Sequence, residues 1–352
     1  MTDAPNVGTK KPLLEVNNLK KSFPIKKGFL QRTVGHVRAV DDVSFSITEG
    51  ETLSLVGESG CGKTTTVRAI MRAINPDEGQ VLFRTRDDEM VDLAELSLSK
   101  IRPLRRDIQM IFQDPFSSLN PRMTIFQLIS EPLLVNRIGT HEERQDRVVE
   151  LLRQVGLRPE YMQRFPHAFS GGQRQRIGIA RALAINPRLI VADEPVSGLD
   201  VSVQAQVLNL LQRHQQEAGT SYIFISHDLG VVRYISDDIM VLYAGHVAES
   251  GPTECVLTAP SHPYTEALLS AVPVPDPDAT PTRIRLLGAV PSLRQRFQGC
   301  FFAGRCPRKV GDICDTTPPP GRTGPDSPDH VIYCHIPVTE LTAMQSEQGG
   351  GT

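Results

Sequence analysis

The chain has 352 residues, 39% of them hydrophobic and 22% charged, which at roughly 150 residues per domain suits two domains with real cores and excludes collagen-like or broadly disordered chains. Lys and Arg number 38 against 40 Asp and Glu, a net charge of -2, so composition carries no nucleic-acid footprint. With no run of 18 apolar residues, no apolar export segment in MTDAPNVGTKK and only six cysteines, a membrane span, a secretory leader and a disulfide scaffold are all unexpected. A soluble, cytoplasmic, two-domain protein is the expectation.

The first element is a strand in which Val43, Phe45 and Ile47 alternate with polar residues, the pattern of an antiparallel strand with one solvated face. Leu53–Val56 is a short apolar run, as expected of a strand buried on both faces. Behind it stands Gly57-Glu58-Ser59-Gly60-Cys61-Gly62-Lys63-Thr64, the spacing G-x-x-x-x-G-K-[ST] of a phosphate loop. Glycines let backbone N–H groups curl around phosphate oxygens, and the following helix adds partial positive charge at its start. Lys63 is expected to reach the β- and γ-phosphates and the Thr64 hydroxyl to ligate Mg²⁺. That helix carries Val67, Ile70, Met71 and Ile74 at helical spacing, with Asn75-Pro76 as its stop.

Further along, Val148, Leu151, Leu152 and Val155 mark a helix opened by the box Thr140-x-x-Glu143 and closed by Gly156. Ser170-Gly171-Gly172-Gln173-Arg174 opens another helix with Ser170 as N-cap, a second anion-ready start. Leu189–Ala192 and Tyr222–Ile225 are again buried strands. Asp193 and Glu194 end the first of these, and two carboxylates there need a cation or a proton task. Asp193 suits Mg²⁺, largely through water; Glu194 suits the base that polarises an attacking water.

One chain rarely needs two glycine-rich helix starts for one triphosphate. With their spacing, these motifs resemble the ATP-binding cassette (ABC) family over about residues 13–250. The resemblance implies an α/β fold: a RecA-like P-loop NTPase core, an antiparallel β subdomain and a helical lobe at about residues 114–169. It makes Phe23 the aromatic that stacks on adenine, and extends the nucleotide-binding run to Thr65. Gln113 in IFQDP matches the Q-loop, adding to the Mg²⁺ and catalytic sets; Asp200 in SGLD matches the D-loop; His227 in FISHD matches the switch histidine. Ser170, Gly171, Gly172 and Gln173 become the signature, which in that family closes over the ATP held by another subunit. Phe23 for the usual Tyr and Gly198 for the usual Ala are departures that remove no charge. A single cassette without a heptad array disfavours the soluble translation and repair members of the family.

FQDPFSSLNPRMT and Ser261-His262-Pro263-Tyr264-Thr265-Glu266-Ala267-Leu268-Leu269 look like the oligopeptide/dipeptide importer subfamily, as does the extra segment between Phe23 and Val37. Its ATPases pair as two related subunits, a heterodimer, beneath two membrane permeases at the cytoplasmic face, fed by an extracytoplasmic peptide-binding protein. Relatives also move nickel, glutathione or oligosaccharides. No nucleic acid is expected.

Composition shifts near residue 251, beyond which lie 15 of the 27 prolines. The expectation is a cassette over residues 1–257 and a small loop-rich domain over 258–352, with Pro273–Asp278 as a semi-rigid spacer and a disordered tail from MQSEQGGGT. Within residues 288–338 large apolar side chains are few beyond Phe297, Phe301, Phe302 and Ile332, so the segment needs help to hold its shape. Cys300, Cys306, Cys314 and Cys334 follow C-x₅-C-x₇-C-x₁₉-C, not the tight pair of common zinc ribbons. Four thiolates would suit a [4Fe–4S] cluster or Zn²⁺, or remain metal-free buried thiols. Some importer ATPases of the subfamily resemble this pattern and hold the cluster, which favours iron–sulfur. Cys61 and Cys255 read as ordinary small residues.

Overall fold

The computed structural model describes residues 11–28, 32–114, 118–258, 261–272, 283–294 and 297–349. The chain divides into two compact units, one of residues 1–15, 46–52 and 82–226, the other of 16–45, 53–81 and 227–352. The strands in chain order are β1 (Pro12–Lys27), β2 (Arg32–Thr48), β3 (Thr52–Val56), β4 (Glu78–Arg84), β5 (Met90–Asp92), β6 (Ile108–Ile111), β7 (Leu189–Asp193), β8 (Ser221–Ile225), β9 (Asp238–Tyr243), β10 (His246–Pro252), β11 (Gly321–Thr323) and β12 (Val331–Tyr333).

In the first unit β6, β7 and β8 run parallel, with Ile108 opposite Leu189 and Ile190 opposite Tyr222. Leu189–Ala192 are wholly buried, because helices cover both faces of a parallel sheet. The expected alternation of strand and helix is therefore present. Between Gln113 and Ser170 the described residues form two α-helices, Ile125–Val135 and His141–Gln154, and two short 3₁₀ turns. The second helix opens with the Thr140/Glu143 capping box, and Gly156 turns the chain beyond its end at φ 68°.

In the second unit β1 and β2 are neighbours. Val43 of β2 is buried and Phe45 half-buried while Asp42 and Ser44 are exposed, as their alternation requires. β3 lies parallel to β9, with Leu53 opposite Asp238. β10 returns antiparallel to β9, and the C-terminal strands continue the ladder, β12 on β10 and β11 on β12.

Three sequence expectations change. The helix after the phosphate loop ends at Ile70, not Ile74: Arg72 turns at φ 52°, and the amides of Ala73 and Ile74 both donate to Arg68 O. Residues Val338–Gly349 are helical, so most of the expected disordered tail is ordered, anchored by the wholly buried Leu341. The spacer Pro273–Asp278 and residues 350–352 lie outside the described residues. Finally, Phe301 and Phe302 pack in one apolar cluster with Val56, Val241, Tyr243 and Tyr264. The Pro-rich segment thus draws its core from the strands beneath the phosphate loop.

Candidate nucleotide-binding site

The phosphate loop leaves the wholly buried β3 at Gly57. Gly57 sits at φ 144°, where a Cβ would come within 2.2 Å of Leu242 O; Gly62 sits at φ 112°, where it would meet Ala39 O at 2.3 Å. Only glycine fits either place. Ser59 and Gly60 form the exposed tip, and Cys61 is buried beneath it, its thiol pushed up by burial. The helix Lys63–Ile70 starts at Gly62 with no side-chain cap, so no side chain of the N-cap competes for its first-turn amides. Lys63 is buried, and its Nζ donates to Gly57 O at 2.6 Å and Glu58 O at 3.0 Å. An ammonium held inside a curl of backbone is placed for anionic oxygens. Thr64 and Thr65 sit half-buried on the first turn.

In the same unit Phe23 projects from β1 with 38% of its surface exposed and Lys21 Nζ 5.6 Å from its ring centre. It is no core residue, which leaves the ring available for stacking. His227 is exposed, just before Asp228, whose carboxylate accepts from the amides of Gly230 and Val231 to cap the helix Leu229–Ile235.

The other unit carries the acids. Asp193 ends β7 at 4% exposure. Glu194 follows at φ 46°, its amide donating to Ile225 O at 3.0 Å. A left-handed non-glycine costs on the order of 1–3 kcal/mol and gathers at functional sites. Here the turn aims the carboxylate at the Q-loop: Gln113 Nε2 donates to Glu194 Oε2 at 3.0 Å. Two residues 81 positions apart, picked out by separate motifs, thus meet.

The signature serine caps the helix Gly171–Leu183 as expected. Ser170 Oγ accepts from the Gln173 amide at 3.3 Å, and Gln173 Oε1 accepts from the Ser170 amide at 3.1 Å. This box engages those two amides and not those of Gly171 and Gly172. Asp200 caps the helix Val201–Ala218, accepting from the Val203 amide at 3.1 Å and Ser202 Oγ at 2.8 Å. These hydrogen bonds hold its carboxyl below the usual range. A Cβ at Gly198 would meet nothing within 4 Å, so glycine in place of the usual alanine loses no contact.

All four C-terminal thiols are unpaired, and Cys314 and Cys334 are buried. Burial pushes Cys300 up to about 11 and Cys306 to about 12, and Cys314 and Cys334 push both the same way. The Cys300 amide donates to Cys314 O at 2.7 Å. Sulfur donors alone suit iron–sulfur or zinc. As the thiols stand, however, no group of three or more His, Cys, Asp or Glu among the described residues is drawn tightly enough to hold a metal ion.

The motifs give no hint of what holds the loop from outside. Tyr264 Oη accepts from the Glu58 amide at 2.8 Å, and Arg305 pairs with the Glu58 carboxylate. One signal was present: an acid inside a loop built for a polyanion calls for a cation from elsewhere in the chain.

Residues 40–197 match the family described as ABC transporter, and residues 248–314 match the oligopeptide/dipeptide transporter C-terminal region, which takes in Cys300, Cys306 and Cys314. The chain is 50% identical to the oligopeptide transport ATP-binding protein AppF of Bacillus subtilis, over 92% of this chain and 97% of that protein. It is 49% identical to the probable peptide ABC transporter ATP-binding protein y4tS of Sinorhizobium fredii, over 92% and 90%. Among solved structures, a dimeric post-hydrolysis state of the ATP-binding cassette MJ0796 bound to ADP and Pi is 31% identical. It superposes with a TM-score of 0.61 over 68% of this chain and 98% of that one. No helix among the described residues is long and apolar enough to cross a membrane.

Proposed function

Because the chain belongs to the ABC transporter family of ATP-binding subunits, we propose that it hydrolyses ATP to drive a peptide importer. The observation that carries this is the Gln113–Glu194 hydrogen bond at 3.0 Å, with the buried Lys63 curled inside an intact phosphate loop. Degenerate cassettes lose a catalytic acid or histidine; Lys63, Glu194 and His227 all stand here. The peptide cargo rests on the two relatives' names and on the matched C-terminal region.

In this reading the loop amides of Gly57–Thr65 and the Lys63 ammonium hold the β- and γ-phosphates, with Phe23 under the base. Thr64, Gln113 and Asp193 are the residues that would hold Mg²⁺, which when bound offsets charge on the phosphate oxygens. Glu194 accepts the proton of the attacking water, oriented by the amide of Gln113 on its Oε2. His227 is exposed, as a group that senses the γ-phosphate must be. Ser170–Gln173 and Asp200 act on nucleotide held by a second, related ATPase subunit. Two permeases receive the helical lobe from the cytoplasmic face, and a binding protein supplies the peptide outside. The organisation implied is a cassette over residues 1–257 and a C-terminal domain over 258–352.

For the cysteines the reading is a structural [4Fe–4S] centre on Cys300, Cys306, Cys314 and Cys334, with zinc as the alternative. What supports it is the all-sulfur donor set, the burial of Cys314 and Cys334 and the hydrogen bond from the Cys300 amide to Cys314 O at 2.7 Å. Such a centre holds the segment and takes no part in hydrolysis. Anaerobically purified protein should contain iron and acid-labile sulfide, and lose both on Cys306→Ser. Stoichiometric zinc would reassign the centre, and neither metal would remove it.

The test of the function is turnover. ATP hydrolysis should be slow for the isolated chain at low concentration and rise when the sibling ATPase and permeases are added. Equal rates alone and in the assembly would refute the shared arrangement.

A further inference from the structure

Glu58 is out of place by simple electrostatics. A loop that gathers phosphate oxygens carries a carboxylate one residue past its first glycine. Unpaired, that charge opposes every nucleotide the loop receives. Lys63 does not answer it, since its ammonium donates to the backbone oxygens of Gly57 and Glu58.

The answer comes from 247 residues away. Arg305, immediately before Cys306, forks onto the carboxylate: Nη1 to Oε2 at 2.7 Å and Nη2 to Oε1 at 3.1 Å. The pair is sheltered, with side chains 10% and 28% exposed. A two-pronged, partly buried pair fixes direction as well as charge. Nη1 also donates to Tyr243 Oη at 3.3 Å. Tyr243 stands edge-on to Tyr264 and Phe302, their ring centres 4.7 and 5.1 Å from its own. Tyr264, from the SHPYT stretch, in turn accepts the Glu58 amide at 2.8 Å. Both the backbone and the side chain of Glu58 are thus gripped by the C-terminal segment, on an aromatic floor that the segment itself completes.

We propose that Arg305 is a positioning residue for the phosphate loop: by pairing with Glu58 it cancels the loop's own carboxylate and holds the loop in its phosphate-binding shape. This rests on the ATP-binding reading above and adds to it a role for the C-terminal segment in nucleotide affinity. The segment then acts on the loop as well as folding upon it.

A charge role and a purely structural one part company in a double substitution. Purified full-length chain is titrated with N-methylanthraniloyl-ATP and Mg²⁺, and melted in parallel. Arg305→Ala leaves the carboxylate facing the phosphates, and affinity should fall roughly tenfold, the loss shrinking at high salt. Adding Glu58→Gln to Arg305→Ala removes the offending charge and should recover most of the affinity. Arg305→Lys keeps the charge without the fork and should bind more tightly than Arg305→Ala, which serves if the alanine variant folds poorly. Arg308→Ala is the control: it breaks the neighbouring pair with Glu266, equally sheltered in the same segment. It should lower the melting temperature and leave affinity unchanged. The inference is overturned if Arg305→Ala binds like wild type, or if the double variant binds no better than Arg305→Ala. Wild-type chain that binds no nucleotide would instead overturn the ATP-binding reading, so the two failures are distinct.

Discussion

The helices Lys63–Ile70 and Gly171–Leu183 both start at glycine, and they treat their first turns in opposite ways. At the phosphate loop Gly62 offers no side-chain cap, Gly57 and Gly62 are forced by backbone oxygens within 2.3 Å of a would-be Cβ, and Lys63 bends into the loop. At Ser170 a capping box closes the start, and a Cβ at Gly172 would meet only the tip of Leu199, at 3.0 Å. The first start is shaped by rigid main chain; the second is built from replaceable side-chain hydrogen bonds. On the function proposed above, a site that must enclose a triphosphate needs the former, and a surface that docks onto another subunit's nucleotide can use the latter.

Substitutions can break that comparison. Glu194→Gln sets the scale: turnover should fall about thousandfold with nucleotide affinity kept, measured as phosphate release beside nucleotide titration. Loss of affinity as well would merge the roles of base and binder. Gly62→Ala should come next. A methyl 2.3 Å from Ala39 O at φ 112° must displace the loop, and affinity should drop about a hundredfold through several kcal/mol of strain. Ser170→Ala should cost about 1 kcal/mol of stability by melting, with nucleotide affinity of the isolated chain unchanged. Gly172→Ala should be smallest, under about 1 kcal/mol, because Leu199 can give way and alanine favours a helix. If Gly172→Ala matched Gly62→Ala in the isolated chain's affinity, the two starts would not differ as described.

A second stability effect checks the C-terminal segment. Glu249 is wholly buried, with His330 Nε2 at 2.7 Å and the His262 amide at 2.9 Å. His330→Ala leaves the buried Glu249 carboxyl one hydrogen-bond partner short and should cost about 2 kcal/mol, read as a lower melting temperature and earlier cleavage within residues 258–349.

How legible each region was follows from how local its physics is. The phosphate loop, the Thr140 and Ser170 caps and the buried strands are set by neighbours a few positions apart, so spacing announces them. The early end of the helix at Ile70 was hidden, because a left-handed Arg72 carries no composition signal. Gln113 and Glu194 were each readable from the family resemblance, while their hydrogen bond depends on the turn at φ 46° after β7. The C-terminal segment was the least legible. Its prolines and cysteines suggested weakness, but its support comes from Tyr243, Glu249 and Glu58, partners up to 247 residues distant. The acid in the phosphate loop was the one printed clue to Arg305.

The central claim is that this chain's ATP hydrolysis is coupled to peptide delivery. The most direct measurement is ATP turnover in the reconstituted importer, with and without binding protein loaded with peptide, for wild type and Glu194→Gln. Turnover that rises with loaded binding protein and collapses in the variant is the predicted result. Turnover indifferent to peptide, or undiminished by Glu194→Gln, would contradict it.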